Sequence, residues 1–123
     1  MTLVLWILQV LLALAFVGAG FTKLTQSKSQ LVTMPPMAWA NDFSPSAIRL
    51  IGLAEVVGAL GLVLPAALGV LPWLTPLAAF ALALLMGGAV VTHVQRSEAA
   101  VPSLVLGFLS LALAAGRFWL QPL

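Results

Sequence analysis

The chain has 123 residues, of which 63% are hydrophobic and only 7% are charged, and it contains no cysteine. A soluble domain carries roughly 25% charged residues to cover its core, so this composition excludes an ordinary soluble fold and indicates an integral membrane protein. The net charge of +2 comes from scattered residues without a basic cluster, which argues against nucleic-acid binding. Without cysteine, the chain itself cannot supply disulfide, thiolate or iron–sulfur chemistry.

Four apolar runs predict four membrane-spanning helices, at about 3–24, 45–64, 75–95 and 102–120. Each run is close to the ~20 residues that a helix needs to cross a hydrocarbon core, and a helix pairs its backbone polar groups without water. Ser44 and Pro45 form an N-cap and first-turn pair for the second span, which is predicted to end before Pro65. Short later connections favour antiparallel neighbours. The sequence therefore predicts an all-α, antiparallel four-helix transmembrane bundle in a single domain, 1–123.

The first connection, at 25–44, is the longest irregular segment and is unusually apolar. Its central sequence LVTMPPMAW includes Met37 and Trp39, and this composition does not suit a loop surrounded by water. We interpret it as an interfacial flap that lies on or dips into the mouth of the bundle. The simpler alternative is a loop that rests among the lipid headgroups.

Positive charge is distributed unequally between the two sides of the predicted bundle. Lys23, Lys28, Arg49 and Arg96 lie in or beside the first and third connections, whereas the other side has only Arg117. The positive-inside rule then places these two connections in the cytoplasm and both termini outside, with a bacterial inner membrane as the expected location. Three tryptophans fall on the predicted outer side, as an aromatic belt would: Trp6, Trp73 and Trp119.

Glu55 is the most informative polar residue. It lies ten residues beyond Pro45, which is about 15 Å along a helix axis. A carboxylate at that depth costs several kcal/mol unless it is protonated, paired or hydrated. The functional interpretation is an acid that carries a proton or orients a ligand, and the structural alternative is a polar contact between helices.

Lys23 and His93 are the other candidate catalytic residues. Lys23, at the end of the first span, can reach inward toward Glu55, but their nominal depths differ and snorkelling is the commoner fate of a terminal lysine. His93, near the inner end of the third span, is a candidate proton relay to Glu55, although a histidine at an interface is more often simply solvated. A single histidine is poor support for haem ligation, and the chain has too few ligands for a predicted metal site.

Four further residues on the flap side are candidate ligand-binding residues: Met37, Trp39, Arg49 and Thr92. Arg49 is also expected to anchor the second span at lipid phosphates. Arg117 is expected to snorkel, with an anionic headgroup or Gln9 as its alternative partner. Three loop charges are interpreted as solvated: Asp42, Arg96 and Glu98.

Small residues at four-residue spacing predict close helix packing, since helices in lipid associate where small side chains let backbones approach. They form three ridges: Ala15 and Ala19; Ala54 and Gly58; and Ala79, Ala83 and Gly87. We interpret these positions as packing and not as chemistry.

The chain resembles the DoxX-like family of small membrane proteins over nearly its whole length. The matching segments are AFVGAGFTKL, SPSAIRLIGLAEVVGALGLVLP, PLAAFALALLMGGAVVTHVQR and AAGRFWL, and the Gly-x-x-Lys-Leu and Ile-Gly-x-x-Glu patterns are the most specific. The resemblance implies a four-helix fold and a link to quinone-coupled sulfur oxidation or to oxidoreductase complexes. The resemblance also implies that Lys23, Glu55 and His93 correspond to polar positions that recur in the family. Related four-helix quinone-linked thiol oxidases use cysteines, which this chain lacks.

Three functions are therefore considered, beside the alternative of a purely structural subunit. The leading one is a DoxX-like membrane protein that binds a lipophilic small molecule, with a quinone as the candidate cofactor, and assists an oxidoreductase partner. The second is a membrane-embedded isomerase or hydrolase that uses Glu55 as acid or base. The third is a proton-coupled exporter, which is disfavoured because small multidrug exporters carry their acid in the first helix. The expected partners are the bilayer, the ligand, and an oxidoreductase or a second copy of the chain.

Overall fold

The computed structural model describes residues 2–34 and 37–120, apart from the side chain of Leu120. Within these ranges it contains helices and no strand: α1 (Thr2–Thr25), α2 (Lys28–Leu31), α3 (Pro45–Leu68), α4 (Leu74–Gln95) and α5 (Val101–Ala115). A 3₁₀-helix, Met37–Asp42, lies between α2 and α3, and α5 continues as a π-helix at Gly116–Leu120. Ser44 caps α3 by accepting a hydrogen bond from the backbone N–H of Ala47, as the sequence predicts.

Four of these segments are long and apolar enough to cross a membrane, namely α1, α3, α4 and α5 with its π-helical continuation. Large apolar side chains are exposed along all four, for example Leu14, Leu53, Leu84 and Phe108. Such a surface is stable only against lipid. The predicted all-α, antiparallel four-helix transmembrane bundle is confirmed.

The bundle closes as a ring of four neighbours. α1 packs along α3, α3 along α4 and α4 along α5, and α5 meets α1. Its core consists of apolar side chains that are almost completely buried, among them Leu12, Phe16, Leu62, Leu82 and Leu113. The core lies on the bundle axis because each helix turns one stripe inward and the rest of its surface to lipid.

α1 and α3 come into close contact at two glycines outside the predicted ridges, Gly20 and Gly52. A Cβ atom on Gly20 would lie 2.6 Å from the carbonyl oxygen of Gly52, closer than real atoms approach. Of the predicted ridges, Ala79 is buried, but Ala54 and Gly87 are exposed. Residue size shows where helices can approach, and only the orientation of each helix decides where they do.

α3 passes through Pro65 and ends at Leu68, four residues beyond the predicted end at Leu64, with Gly69 as its C-cap. A proline inside a helix has no N–H to donate to the carbonyl four residues earlier, here that of Gly61. The hydroxyl of Thr75 on α4 donates to this carbonyl at 3.3 Å, and Gln9 on α1 donates from Nε2 to the carbonyl of Leu62 at 2.7 Å. Neighbouring helices thus supply donors around the proline, which lets the helix continue in lipid.

The first connection folds over one end of the bundle. Leu31, Ala40 and Ile48 form a small buried core there, against which Met37, Trp39 and Phe43 pack. The rings of Trp39 and Phe43 meet edge to face, with centroids 5.4 Å apart. We call residues 28–43 the flap; Pro35 and Pro36 of the predicted motif lie outside the described residues.

Candidate functional site

A cavity of about 310 Å³ lies under the flap, between all four long helices. Its walls are mainly apolar, and the lining includes Ala19 and Lys23 of α1, Met37, Trp39 and Phe43 of the flap, Ile51 and Glu55 of α3, Met86, Ala89, Thr92 and His93 of α4, and Ser103 and Leu106 of α5. The fold therefore brings together six of the seven residues that the sequence singles out as candidate catalytic or ligand-binding groups.

Lys23 and Glu55 form a buried ion pair at the wall of this cavity. Lys23 Nζ lies 2.7 Å from Glu55 Oε1, and the two residues are only 6% and 2% exposed. Side chains on a helix lean toward its N-terminus, so in antiparallel α1 and α3 these two lean toward each other along the bundle axis. This convergence bridges the difference in depth, and the snorkelling expected of Lys23 is wrong.

The surroundings of the pair explain how two charges persist in the interior of the bundle. A buried ion pair loses hydration on both sides, so it survives only when attraction and further polar contacts compensate. Lys23 Nζ also lies 5.8 Å from the centre of the Trp39 ring, where a cation is attracted by the ring face. Trp39 thus connects the flap to the ion pair.

His93 lies on the cavity wall at the end of α4. Its Nδ1 is 3.2 Å from Oε1 of Glu98, in the connection that follows, so His93 is not the simply solvated residue that the sequence favours. Thr92, next to it, donates its hydroxyl to the carbonyl of Gly88 at 3.0 Å, within its own helix. In this contact either Nδ1 of His93 or Oε1 of Glu98 can carry the shared proton, and the tautomer of the histidine ring depends on which of the two does.

The loop charges form a network that fastens the flap to the end of α4. Arg96 hydrogen-bonds the carboxylate of Asp42 in the flap through Nη1, and its Nε lies 3.2 Å from Oε2 of Glu98. The hydrogen bonds with Asp42 and Glu98 raise the pKa of Arg96 above its ordinary value. These three residues are therefore partners of one another, and the expectation that they are separate solvated charges is wrong.

Arg49 is the candidate that the structure places away from the cavity. Its Nη1 donates to the backbone carbonyl of Leu24 at 2.7 Å, in an exposed position. The last carbonyls of a helix lack internal partners, and a cation near them also suits the helix dipole. Arg49 thus caps the end of α1 and does not line the proposed site.

A second polar cluster lies toward the opposite end of the bundle. Arg117 is 2% exposed, donates from Nε to Gln9 Oε1, and has its guanidinium carbon 5.6 Å from the centre of the Trp6 ring. The alternative partner named for Arg117, Gln9, is thus the one observed, and snorkelling is not. Because Gln9 also binds the Leu62 carbonyl, this cluster joins α1, α3 and the end of α5.

Sequence reasoning missed several residues of the site, among them Phe43, Glu98 and Ser103. Phe43 and Ser103 line the cavity, and neither carries a sequence signal beyond its residue type. Glu98 follows His93 by five positions, a spacing that brings the two together only because the chain turns at the end of α4. Within the described ranges, no group of three or more His, Cys, Asp or Glu residues is placed to hold a metal ion.

A lipid-facing four-helix bundle with a ligand-sized internal cavity defines a small multi-pass membrane protein. The model of the DoxX-like family matches residues 7–116, so the chain belongs to that family. Neither the curated proteins nor the solved structures give a significant match.

Proposed function

We propose that this protein binds a lipophilic small molecule with a polar end in the cavity under the flap and assists an oxidoreductase system. The observation that carries the proposal is the position of the Lys23–Glu55 ion pair on the wall of a mainly apolar cavity. Ligand sites typically combine apolar walls with a few polar groups that fix orientation. Charged residues inside a membrane-spanning bundle usually serve function, because they are costly to keep there.

A quinone is the first candidate ligand, and the side chains of the cavity fit it. Its ring suits a space lined by aromatic and thioether groups such as Trp39 and Met86. Its carbonyl oxygens accept hydrogen bonds, and the ammonium group of Lys23 and the imidazole of His93 are candidate donors on the cavity wall. The volume of about 310 Å³ is near the lower end for ligand pockets, so it suits a head group whose tail extends beyond the cavity.

In this proposal each polar residue has a distinct role. Lys23 orients the ligand through its ammonium group, and Glu55 keeps that ammonium in place. His93 supplies or removes a proton at the ligand's polar end. A bound quinone would supply the electron chemistry, since the chain has no cysteine for redox work.

A membrane-embedded acid–base enzyme is the second candidate. Glu55 and His93 line the same cavity, and a carboxylate and an imidazole facing one substrate are a common acid–base pair. An isomerase or hydrolase would convert a hydrophobic substrate without added electron donor. A binding protein would return the ligand unchanged, so product analysis after incubation separates the two.

The proposed setting is a bacterial inner membrane, with the flap and the α4–α5 connection in the cytoplasm and both termini outside. The charge asymmetry described above supports this orientation. An oxidoreductase subunit, or a second copy of this chain, would then meet the cavity from the cytoplasmic side.

Tryptophan fluorescence in lipid nanodiscs tests the binding proposal, with a short-chain ubiquinone analogue as the probe. Quinones quench nearby indole rings, so Trp39 on the cavity wall should be quenched in a saturable way. The saturable component should disappear in Trp39→Phe and persist in Trp73→Phe, because Trp73 lies at the other end of the bundle and is 56% exposed. Quenching that grows linearly with probe and is equal in both variants would mean partition into lipid, and the quinone proposal would fail.

A further inference from the structure

His93 lines two separate cavities. Besides the cavity under the flap, it borders a second hollow of about 290 Å³, whose other walls are Val32, Thr33, Met34 and Ala38 of the flap and Glu98 and Ala99 of the α4–α5 connection. The second hollow lies at the loop end of the bundle. The imidazole therefore stands between the loop side and the site of the ion pair.

Glu98 occupies the loop side of this imidazole. Its side chain is 26% exposed, against 10% for that of His93, so water reaches the carboxylate more readily than the ring. Oε1 faces Nδ1 of His93 at 3.2 Å, while Oε2 lies 3.2 Å from Nε of Arg96. Arg96 thereby holds the carboxylate so that one oxygen stays directed at the histidine.

We propose that Glu98 and His93 form a proton path from the loop side into the cavity under the flap. Glu98 accepts a proton at Oε1 from hydronium or buffer on the loop side and passes it to Nδ1 of His93, whose Nε2 already carries a proton. The ring then releases that Nε2 proton to an acceptor in the cavity. Glu98 ends as the carboxylate it was, and reversal of the tautomer readies the ring for another proton. An imidazole suits this task because it can take up a proton on one ring nitrogen and release one from the other, and because the ordinary pKa of an imidazole is close to neutral pH.

The charged groups around His93 lie both toward the loops and toward the interior of the bundle, and each of them already has a partner. Toward the loops, Arg96 contacts Glu98 and is itself bound to Asp42 of the flap. Toward the interior, the groups that share the cavity with His93 are Lys23 and Glu55, which are paired with each other. The inference rests on the proposed function only in that the bound ligand would be the final proton acceptor.

Because His93 is the one histidine of the sequence, its ring can be observed without ambiguity. We would label histidine with ¹⁵N and measure, by NMR in lipid nanodiscs without ligand, the ring tautomer and the exchange of its N–H proton with water. Glu98→Gln should change the tautomer and slow the exchange at least tenfold. Asp42→Asn is the matched control, since Asp42 also binds Arg96 but makes no hydrogen bond or ion pair with His93; it should leave the tautomer unchanged and should not slow the exchange.

Two results would overturn the proton path. One is unchanged exchange and tautomer in Glu98→Gln. The other is equal slowing in Glu98→Gln and Asp42→Asn, because exchange would then follow the position of the flap and not the carboxylate. The measurement needs no ligand, so it can succeed while the quinone test fails, and the two proposals are refuted separately.

Discussion

Gly20 of α1 and Gly52 of α3 lie face to face, with no room for a Cβ atom on either. A Cβ on Gly52 would lie 2.9 Å from the carbonyl oxygen of Gly20 and 2.8 Å from Cβ of Lys23. Each glycine precedes one member of the ion pair by three positions, which places Lys23 and Glu55 on the contacting faces of their helices. The two patterns Gly-x-x-Lys and Gly-x-x-Glu thus act together: the glycines allow the two helices to approach, and the charged residues form their ion pair beside this contact.

Gly20→Ala should destabilise the bundle, by about 1–3 kcal/mol as overpacked contacts do, because the new methyl group would meet the backbone of α3. Thermal unfolding in detergent micelles measures the effect. Gly18→Ala on the same helix is the control, since nothing lies within 4 Å of a Cβ there. Equal stability of the two variants would show that α1 and α3 are not in close contact.

Glu55→Gln should lower stability, although glutamine keeps the shape of the side chain, because it leaves the buried Lys23 without its counter-charge. Breaking a buried pair in this way costs about 3–5 kcal/mol. Lys23→Met combined with Glu55→Gln should recover most of the loss, since no unpaired charge remains. Additive losses in the double variant, measured as a thermodynamic cycle, would argue against the pair.

The same double variant separates fold from function. If the pair only joins helices, the recovered protein should bind the quinone analogue as the unmodified protein does. If the pair orients the ligand, binding should weaken at least tenfold despite the recovered stability. Fluorescence titration of Trp39 reports the difference.

The flap should protect Trp39 from the aqueous phase. In the cysteine-free background, Trp39→Cys should react with a membrane-impermeant maleimide much more slowly than Ser29→Cys, which is at an exposed position. Adding Asp42→Asn should speed the reaction of Trp39→Cys by about two- to fivefold, since an exposed ion pair contributes only modestly to holding the flap. Labelling of both cysteines at one rate would exclude a packed flap.

Thr75→Val should destabilise the bundle by about 0.6 kcal/mol, the average for polar contacts within membranes, and by no more than about 1.7 kcal/mol, because it removes the donor to the Gly61 carbonyl. In a Pro65→Ala background the restored N–H bonds that carbonyl, so the same change should cost less. Thr22→Val is the control, since Thr22 donates only within its own helix, to Gly18. If Thr75→Val lowers the stability of the Pro65→Ala protein as much as that of the unmodified protein, Thr75 stabilises the bundle through packing and not through this hydrogen bond.

The proposed orientation predicts that reporters at both termini lie outside the cytoplasm. A periplasmically active phosphatase fused at the C-terminus should be active, and a reporter that requires the cytoplasm should be inactive there. Moving positive charge to the other side, for example with Arg96→Gln and an added lysine pair beside Trp73, should shift the population. Activity of the cytoplasmic reporter on the unmodified chain would reverse the orientation.

Composition and run length by themselves determined that this is an all-α protein with four membrane spans, because a continuous apolar run of about 20 residues matches a membrane-spanning helix, which pairs its backbone within the segment. The depth of Glu55 also followed from counting along one helix. The partners of the polar residues did not: Lys23 meets Glu55, Arg117 meets Gln9 and Arg49 caps α1 only because particular faces of neighbouring helices are turned toward each other.

The same reason explains the passage of α3 through Pro65 and the gathering of Trp39, His93 and Glu55 around one cavity. A proline tends to end a helix when no other group donates a hydrogen bond to the backbone carbonyls it leaves free. Here Thr75 and Gln9, from two other helices, supply such donors. Spans are properties of a local segment and of the lipid around it. Partners depend on how helices rotate and lean against each other, which is decided by contacts between residues far apart in the chain.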